Sequence, residues 1–262
     1  MDDQPSRAFR RAPVSCACAL VTSALLAAPA TADIEFGMYA GGGAWMQDIS
    51  GSATSGADNL DLVDDLGFAD KSNNYFYGAF EHPIPLLPNV RIEHTSLAQT
   101  GEGVLNRSIE FNGETFNLAA ELNSEIDISQ TDALLYWGLL DTVVDLDVGV
   151  GVRFLDGFVM VRDETTFTNS TAEFDTPVPM VYGAARADLP FSGFWVGASA
   201  RGLAYEDNSL IDIDARVGWT SPIGLGLEVG YRQMDLDVEE LDEIDVANVM
   251  IKGPFAALNY DF

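Results

Sequence analysis

The sequence predicts an all-β chain: a transmembrane antiparallel up-and-down β-barrel of about ten strands, or eight if neighbouring runs merge. Three observations predict it. Period-two alternation of apolar and polar residues is strong, while helical periodicity is weak. The alternating runs exceed the ~5–6 residues of an ordinary globular strand and suit the ~9–11 that cross a bilayer at a tilt. Short and long connections alternate, as they do when turns close one end of a barrel and loops the other.

The first 32 residues stand apart from the rest. Arg7, Arg10 and Arg11 form a basic start, residues 14–28 an apolar stretch, and Ala30-Thr31-Ala32 a small-x-small site. That order is expected of a secretory signal peptide cleaved after Ala32, leaving 33–262 as one barrel domain. Both cysteines, Cys16 and Cys18, lie in the removed part. The mature chain then has no disulfide and no thiolate metal site, which excludes a disulfide-stapled secreted scaffold.

Ten candidate strands follow, near residues 34–47, 73–82, 90–100, 125–140, 144–160, 177–189, 193–206, 209–220, 224–237 and 248–262. The clearest is Val144, Leu146, Val148, Val150, Val152 and Phe154, backed by Asp145, Asp147, Gly149, Gly151 and Arg153. Another is Ile211, Ile213, Ala215, Val217 and Trp219, backed by Asp212, Asp214, Arg216 and Gly218. A third is Leu225, Leu227, Val229 and Tyr231, backed by Gly226, Glu228, Gly230 and Arg232. Short turns at "PIPLLPN", residues 141–143, "PFSG" and "SPIG" define one end, where both termini of the domain also fall. Long polar gaps at 48–72, 101–124, 161–176 and 238–247 define the other, with "EDNS" as a short exception. Phe36, Trp137, Phe194, Trp219, Tyr260 and Phe262 fall at the short-turn end as an interfacial girdle, and Tyr75, Phe158, Tyr205 and Tyr231 are expected to make the second.

A soluble sandwich also alternates, so the opposite face has to decide between the two. It carries Arg153, Arg201, Asp212, Asp214, Arg216, Glu228 and Arg232 among its charges, and seven of the eight mature arginines fall on it. In a membrane barrel these residues fill a polar lumen with acid–arginine pairs.

Export and the barrel give meaning to the last residues, "KGPFAALNYDF". Leu258, Tyr260 and Phe262 form one side of the last strand and resemble the C-terminal signal of Gram-negative outer-membrane β-barrel proteins. That resemblance implies recognition by the barrel assembly machinery during biogenesis. The match is partial, because Ala257 and Phe255 stand where the pattern often has glycine and a polar residue. Gly253 and Pro254 predict a bulge, since proline cannot donate to a ladder. With "MYAGGGAWMQD" (Gly41, Gly42, Gly43, Trp45), the chain also resembles a small family of proteobacterial outer-membrane proteins marked by an early Gly-Gly pair. The resemblance implies fold and location and carries no activity.

Charge narrows the partners. From a formal net charge of −28, removal of three arginines and two aspartates leaves −29, with Lys71 and Lys252 the only lysines. Nucleic-acid binding, which needs a basic face, is excluded. Outer-membrane lipid and lipopolysaccharide are the expected surroundings, and the barrel is expected to be a monomer. Neither glycine run precedes a helical pattern, so both read as room for strand curvature or a crossing aromatic rather than a phosphate loop. His82 and His94 flank one turn, each beside a glutamate that points to the opposite strand face. No catalytic residue and no cofactor is expected. The acidic runs 58–70 and 235–245 hold five and seven acids. Weak candidates for Ca²⁺ or Mg²⁺ are Asp61, Asp64, Asp65, Glu239, Glu240 and Asp242. A non-enzymatic envelope or surface role, a narrow cation-preferring channel and an outer-membrane enzyme all stay open.

Overall fold

The computed structural model describes residues 36–262 apart from 56–57, 85, 207 and 242–243, and no side chain at 55, 240–241 or 244–245. The expected signal peptide, the boundary at 33, the Glu240 side chain and Asp242 lie outside the described residues.

Fifteen strands follow in chain order. They are β1 (Gly37–Ser55), β2 (Asp58–Asp61), β3 (Lys71–Glu81), β4 (Asn89–Thr95), β5 (Ala98–Val104), β6 (Ile109–Phe111), β7 (Glu114–Phe116), β8 (Glu121–Asp127), β9 (Gln130–Leu140), β10 (Val144–Asp163), β11 (Asn169–Asp188), β12 (Phe194–Tyr205), β13 (Asn208–Thr220), β14 (Leu225–Leu241) and β15 (Ile244–Asp261). Ten of them close a ring in the order β1-β3-β4-β9-β10-β11-β12-β13-β14-β15, every pair antiparallel, with β15 returning to β1. A closed ring leaves no edge, so each backbone donor in the wall meets a neighbour, as a strand in hydrocarbon requires. The last closing bond is at the terminus: the Phe262 amide donates to Met38 O at 2.9 Å.

The apolar side of the lower wall faces outward. Val148, Val150 and Phe154 on β10, Ile211, Ile213 and Val217 on β13, and Leu225, Leu227 and Val229 on β14 are all exposed, as are Leu258, Tyr260 and Phe262. Phe36, Phe194 and Trp219 are exposed near the short turns, and Trp137 donates there to Leu86 O at 3.2 Å. The second girdle is only partly built. Tyr75 points inward, buried at 5%, where its ring meets Phe255 edge-on at 5.8 Å. An aromatic at a strand position can serve either face, so its type alone could not place it.

At the far end, strands occupy most of the expected loops. β1 and β14 run on to 55 and 241, and β10 and β11 are joined by a turn of only five residues, 164–168. β2 folds back on β1, β5 pairs β8, and β6 and β7 make a small separate hairpin. We call this extension the crown. Its inward face is apolar: Leu60, Leu66, Phe111, Phe116, Val161 and Ala172 are buried at 0–1%. Fully burying a side chain of leucine or phenylalanine size is worth about 1.5–3 kcal/mol relative to exposure, which is why these segments are strands and not solvated loops.

Pro254 makes no bulge. β15 pairs β14 without interruption through Tyr231↔Pro254, and pairing with β1 lapses at Met46 and Gln47 and resumes in the same register at Asp48↔Lys252. The missing donor thus leaves a gap in one ladder but no extra residue. The early glycines fit the crossing-aromatic reading. A Cβ at Gly41 would lie 2.6 Å from the Tyr77 ring, and one at Gly42 would lie 2.5 Å from Phe76.

Candidate functional site: the charged interior

Five arginines and five carboxylates converge inside the barrel below the crown: Arg91, Arg153, Arg201, Arg216 and Arg232 with Glu93, Asp132, Asp212, Asp214 and Glu228. Strand alternation brings them there. Each strand offers every second residue to the interior, and β4, β9, β10, β12, β13 and β14 all present a charge at one level.

The pairing is dense. Arg153, fully buried, forks onto Asp132 through Nε and Nη2 at 2.7 Å each, and Nη2 also reaches Asp212 at 2.8 Å. Arg232 forks onto Asp212 from the other side through Nε at 2.9 Å and Nη2 at 2.6 Å. Arg201 donates to Glu93 at 2.6 Å and stands 2.9 Å from Asp132. Its Nε lies 3.3 Å from Asp212 without hydrogen-bond alignment. Glu93 also takes Arg91 at 2.9 Å and Arg232 at 3.2 Å. Arg216 pairs with Asp214, which also accepts from the Ser199 hydroxyl, and reaches Glu228 at 3.5 Å. Planar guanidinium forks suit such two-sided pairing of carboxylates, where lysine would supply a point charge.

Aromatics pack into this belt. Arg232 lies over the Trp45 ring at 4.8 Å, and Trp45 Nε1 donates to Gly253 O at 3.1 Å. Arg91 lies over Tyr77 at 4.0 Å. The space left among Trp45, Tyr75, Arg201, Arg216, Arg232 and Phe255 is a cavity of about 10 Å³, room for about one water molecule.

Toward the short turns the interior becomes an acidic mouth. Glu81 accepts from Tyr136 at 2.7 Å and Tyr39 at 3.1 Å. Asp145 and Asp147 share this end, and Arg186 pairs with Asp188 at 2.9 Å and lies over Trp195 at 4.4 Å. Six arginines therefore face inward, rather than seven: Arg162 is exposed on the outside of the crown, 3.5 Å from Glu164, and Arg107 belongs to the crown.

All seven expected lumen charges stand in the belt. Glu93 joins them. Asp132 was missed, because Leu134 and Leu135 blur the alternation of β9. Among the described residues, the acid candidates for a cation do not converge. Asp61 Oδ1 accepts the amides of Val63 and Asp64, and Asp65 Oδ2 takes the Asp61 amide and Arg107. Asp64 and Glu239 are exposed on different elements. Among the described residues, no group of three His, Asp or Glu could hold a metal ion. His82 lies in a turn, 3.1 Å from Pro88 O, and His94 faces outward, 3.1 Å from the Thr131 hydroxyl.

No protein-family model and no curated protein matches the chain. Solved structures similar to it include Ail, the attachment invasion locus protein of Yersinia pestis, with 9% identity, 87% of this chain and 100% of that chain covered, and a TM-score of 0.36. The outer membrane protein AlkL has 12% identity over 92% and 96%, with a TM-score of 0.35. The transport unit of the autotransporter AIDA-I from Escherichia coli has 10% identity over 91% and 93%, with a TM-score of 0.40. All three scores are below 0.5, so the fold rests on the chain's own pairing and exposure. A closed ring of ten strands with an apolar outer wall and a charged interior is a membrane-spanning β-barrel of the outer-membrane type.

Proposed function

We propose that the protein is a closed outer-membrane barrel with a non-enzymatic role in the envelope, structural or in surface interaction through its acidic crown. The observation that carries this reading is the charge-neutral belt, five arginines paired with five carboxylates across the interior. A solute would have to break several buried ion pairs to pass, and the apolar crown interior blocks the path a second time. The crown faces outside, both termini face the periplasm, residues 1–32 are removed on export, and the barrel is a monomer set among lipopolysaccharide. Leu258, Tyr260 and Phe262 present the aromatic edge offered to the assembly machinery, and the Gly-Gly family is the one to which the chain is assigned. With Asp61 and Asp65 engaged in the crown turn, any Ca²⁺ or Mg²⁺ there is held jointly with lipid phosphates. The test is single-channel conductance of the mature protein, refolded and shown to be inserted in a planar bilayer. A silent bilayer is expected. Steady openings would overturn the closed lumen and favour a cation-preferring channel, the reading to which the acidic mouth at Glu81, Asp145 and Asp147 lends weight.

A further inference from the structure

We infer that the short turns form a lipid-binding collar, whose tips enter the leaflet on that side instead of standing in water. Four turns close this end, at residues 82–88, 141–143, 189–193 and 221–224. Each lifts an apolar side chain clear of the protein: Leu86, Val143, Phe191 and Ile223, with Leu86 91% exposed and Ile223 73%. A single exposed hydrophobic needs no explanation, but one on every turn of a ring makes a surface. Two of the four are held there against their backbone preference. Leu86 has φ +72° and Phe191 φ +63°, in the left-handed region where a bulky residue is an outlier and glycine fits freely. Strain of this kind, in a turn that could have used glycine, points to a use for the side chain.

Charge and continuity identify the occupant. The only Asp, Glu, Lys or Arg in the four turns is Asp141, while the runs 58–70 and 235–245 at the other end hold five and seven acids. The end that stands in water is acidic, and this one is not. The collar also continues the wall that already faces lipid: Ile223 leads into Leu225, Phe191 into Phe194 and Leu87 into Val90, all exposed. Backbone that meets lipid must find its partners within the protein, and each turn passes a carbonyl to the next strand round the ring. Leu86 O accepts from Trp137 Nε1 at 3.2 Å, Val143 O from the Asp188 amide at 3.0 Å, Gly193 O from the Thr220 amide at 2.8 Å and Gly224 O from the Asp261 amide at 2.9 Å. Pro83, Pro88, Pro190 and Pro222 bring no N–H to satisfy.

The height of the apolar wall gives the reason. An outer-membrane barrel shows lipid an apolar band about 25 Å tall, and a tilted strand climbs roughly 2.6 Å per residue. On β10 the outward row from Val144 to Phe154 climbs about 26 Å at that rate and fills the band alone. On β14 the row from Leu225 to Tyr231 climbs about 16 Å before Gln233, and on β3 the row from Phe76 to Phe80 climbs about 10 Å before Asn74. The one charged turn, at Asp141, adjoins the strand whose row is long enough. The turns beside the short rows carry no acid, lysine or arginine, and there Ile223, Ile84 and Leu86 supply the missing length.

Depth-resolved fluorescence quenching tests this. Both cysteines lie in the first 32 residues, so a single substitution gives the mature chain a single label. Leu86→Cys, Phe191→Cys and Ile223→Cys are each labelled with an environment-sensitive fluorophore and refolded into dimyristoylphosphatidylcholine nanodiscs. The quenchers are a nitroxide placed high on the lipid acyl chain and aqueous iodide. Leu118→Cys, at an exposed leucine of the crown, is the aqueous reference. The three collar labels should be quenched by the lipid nitroxide and be about fivefold less open to iodide than the reference, with Asp141→Cys between. Where a collar variant does not refold, Leu87→Cys or Leu189→Cys, also exposed, takes its place. Iodide quenching of the collar labels at the reference rate would overturn the collar, because the rim would then stand in water with its tips free for a protein partner. Shielding from both quenchers would overturn it too, since protein and not lipid would then cover the tips.

Discussion

The lower barrel and the crown are built from the same strands with opposite polarity. On β14 the apolar residues below are Leu225, Leu227, Val229 and Tyr231, all facing out, and above they are Met234, Leu236 and Val238, facing in. β10 changes from Val150 and Phe154 outside to Val159 and Val161 inside, and β15 from Leu258 and Tyr260 outside to Val249 and Ile251 inside. The strand continues while the phase of its alternation slips by one residue. Below the slip the good solvent for apolar groups is lipid, and above it the only one available is the interior. One sheet thus joins an inside-out membrane protein to an ordinary soluble core. What fills the inside differs accordingly: ion pairs below, leucine and phenylalanine above.

The two interiors should fail differently. Arg153→Ala takes the forked partner from buried Asp132, leaving it Arg201 alone, and removes one of the three arginines around Asp212. Breaking a buried pair by removing one partner costs about 3–5 kcal/mol, so the whole barrel should lose that much in a urea titration in bilayers. Leu66→Ala should cost about 2–5 kcal/mol for the cavity it leaves, but in the crown alone. Brief proteolysis should then clip the region around 56–70 while residues 130–155 stay resistant. A global loss on Leu66→Ala equal to that on Arg153→Ala would mean that the halves are one cooperative unit and that the contrast is only compositional.

Much of the lower half was legible in the sequence because one rule governs it: every second residue meets lipid. The strand count followed from the alternating runs, and the seven expected charges from their polar face. The crown was harder to read for a physical reason. Its outward faces carry Asp235, Asp237, Glu239, Asp61 and Asp64, and acid-rich segments suggest loops. Yet Met234, Leu236 and Val238 recur at period two inside the same stretch, so the signal was a change of phase and not a loss of pattern. Which arginine meets which carboxylate was not legible, because several pairs join strands distant in sequence. Arg232 and Glu93, 139 residues apart, meet only once the ring is closed.

The phase slip also fixes where the membrane ends, which can be tested with one pair of substitutions on one strand. Val229 faces outward below the slip, and Gln233 faces outward one step above Tyr231, paired in register with Lys252. Arginine at Val229 would sit among lipid tails, where the cost near the midplane is about 2–4 kcal/mol; at Gln233 it would reach the interface, at about 0–1 kcal/mol. Both side chains leave the interior untouched, so belt and crown packing cancel from the comparison. Equal costs measured by the same urea titration would place the two residues at one depth and move the membrane edge into the crown. A drop between them, only four residues apart on the strand, would make the polarity inversion itself the boundary marker.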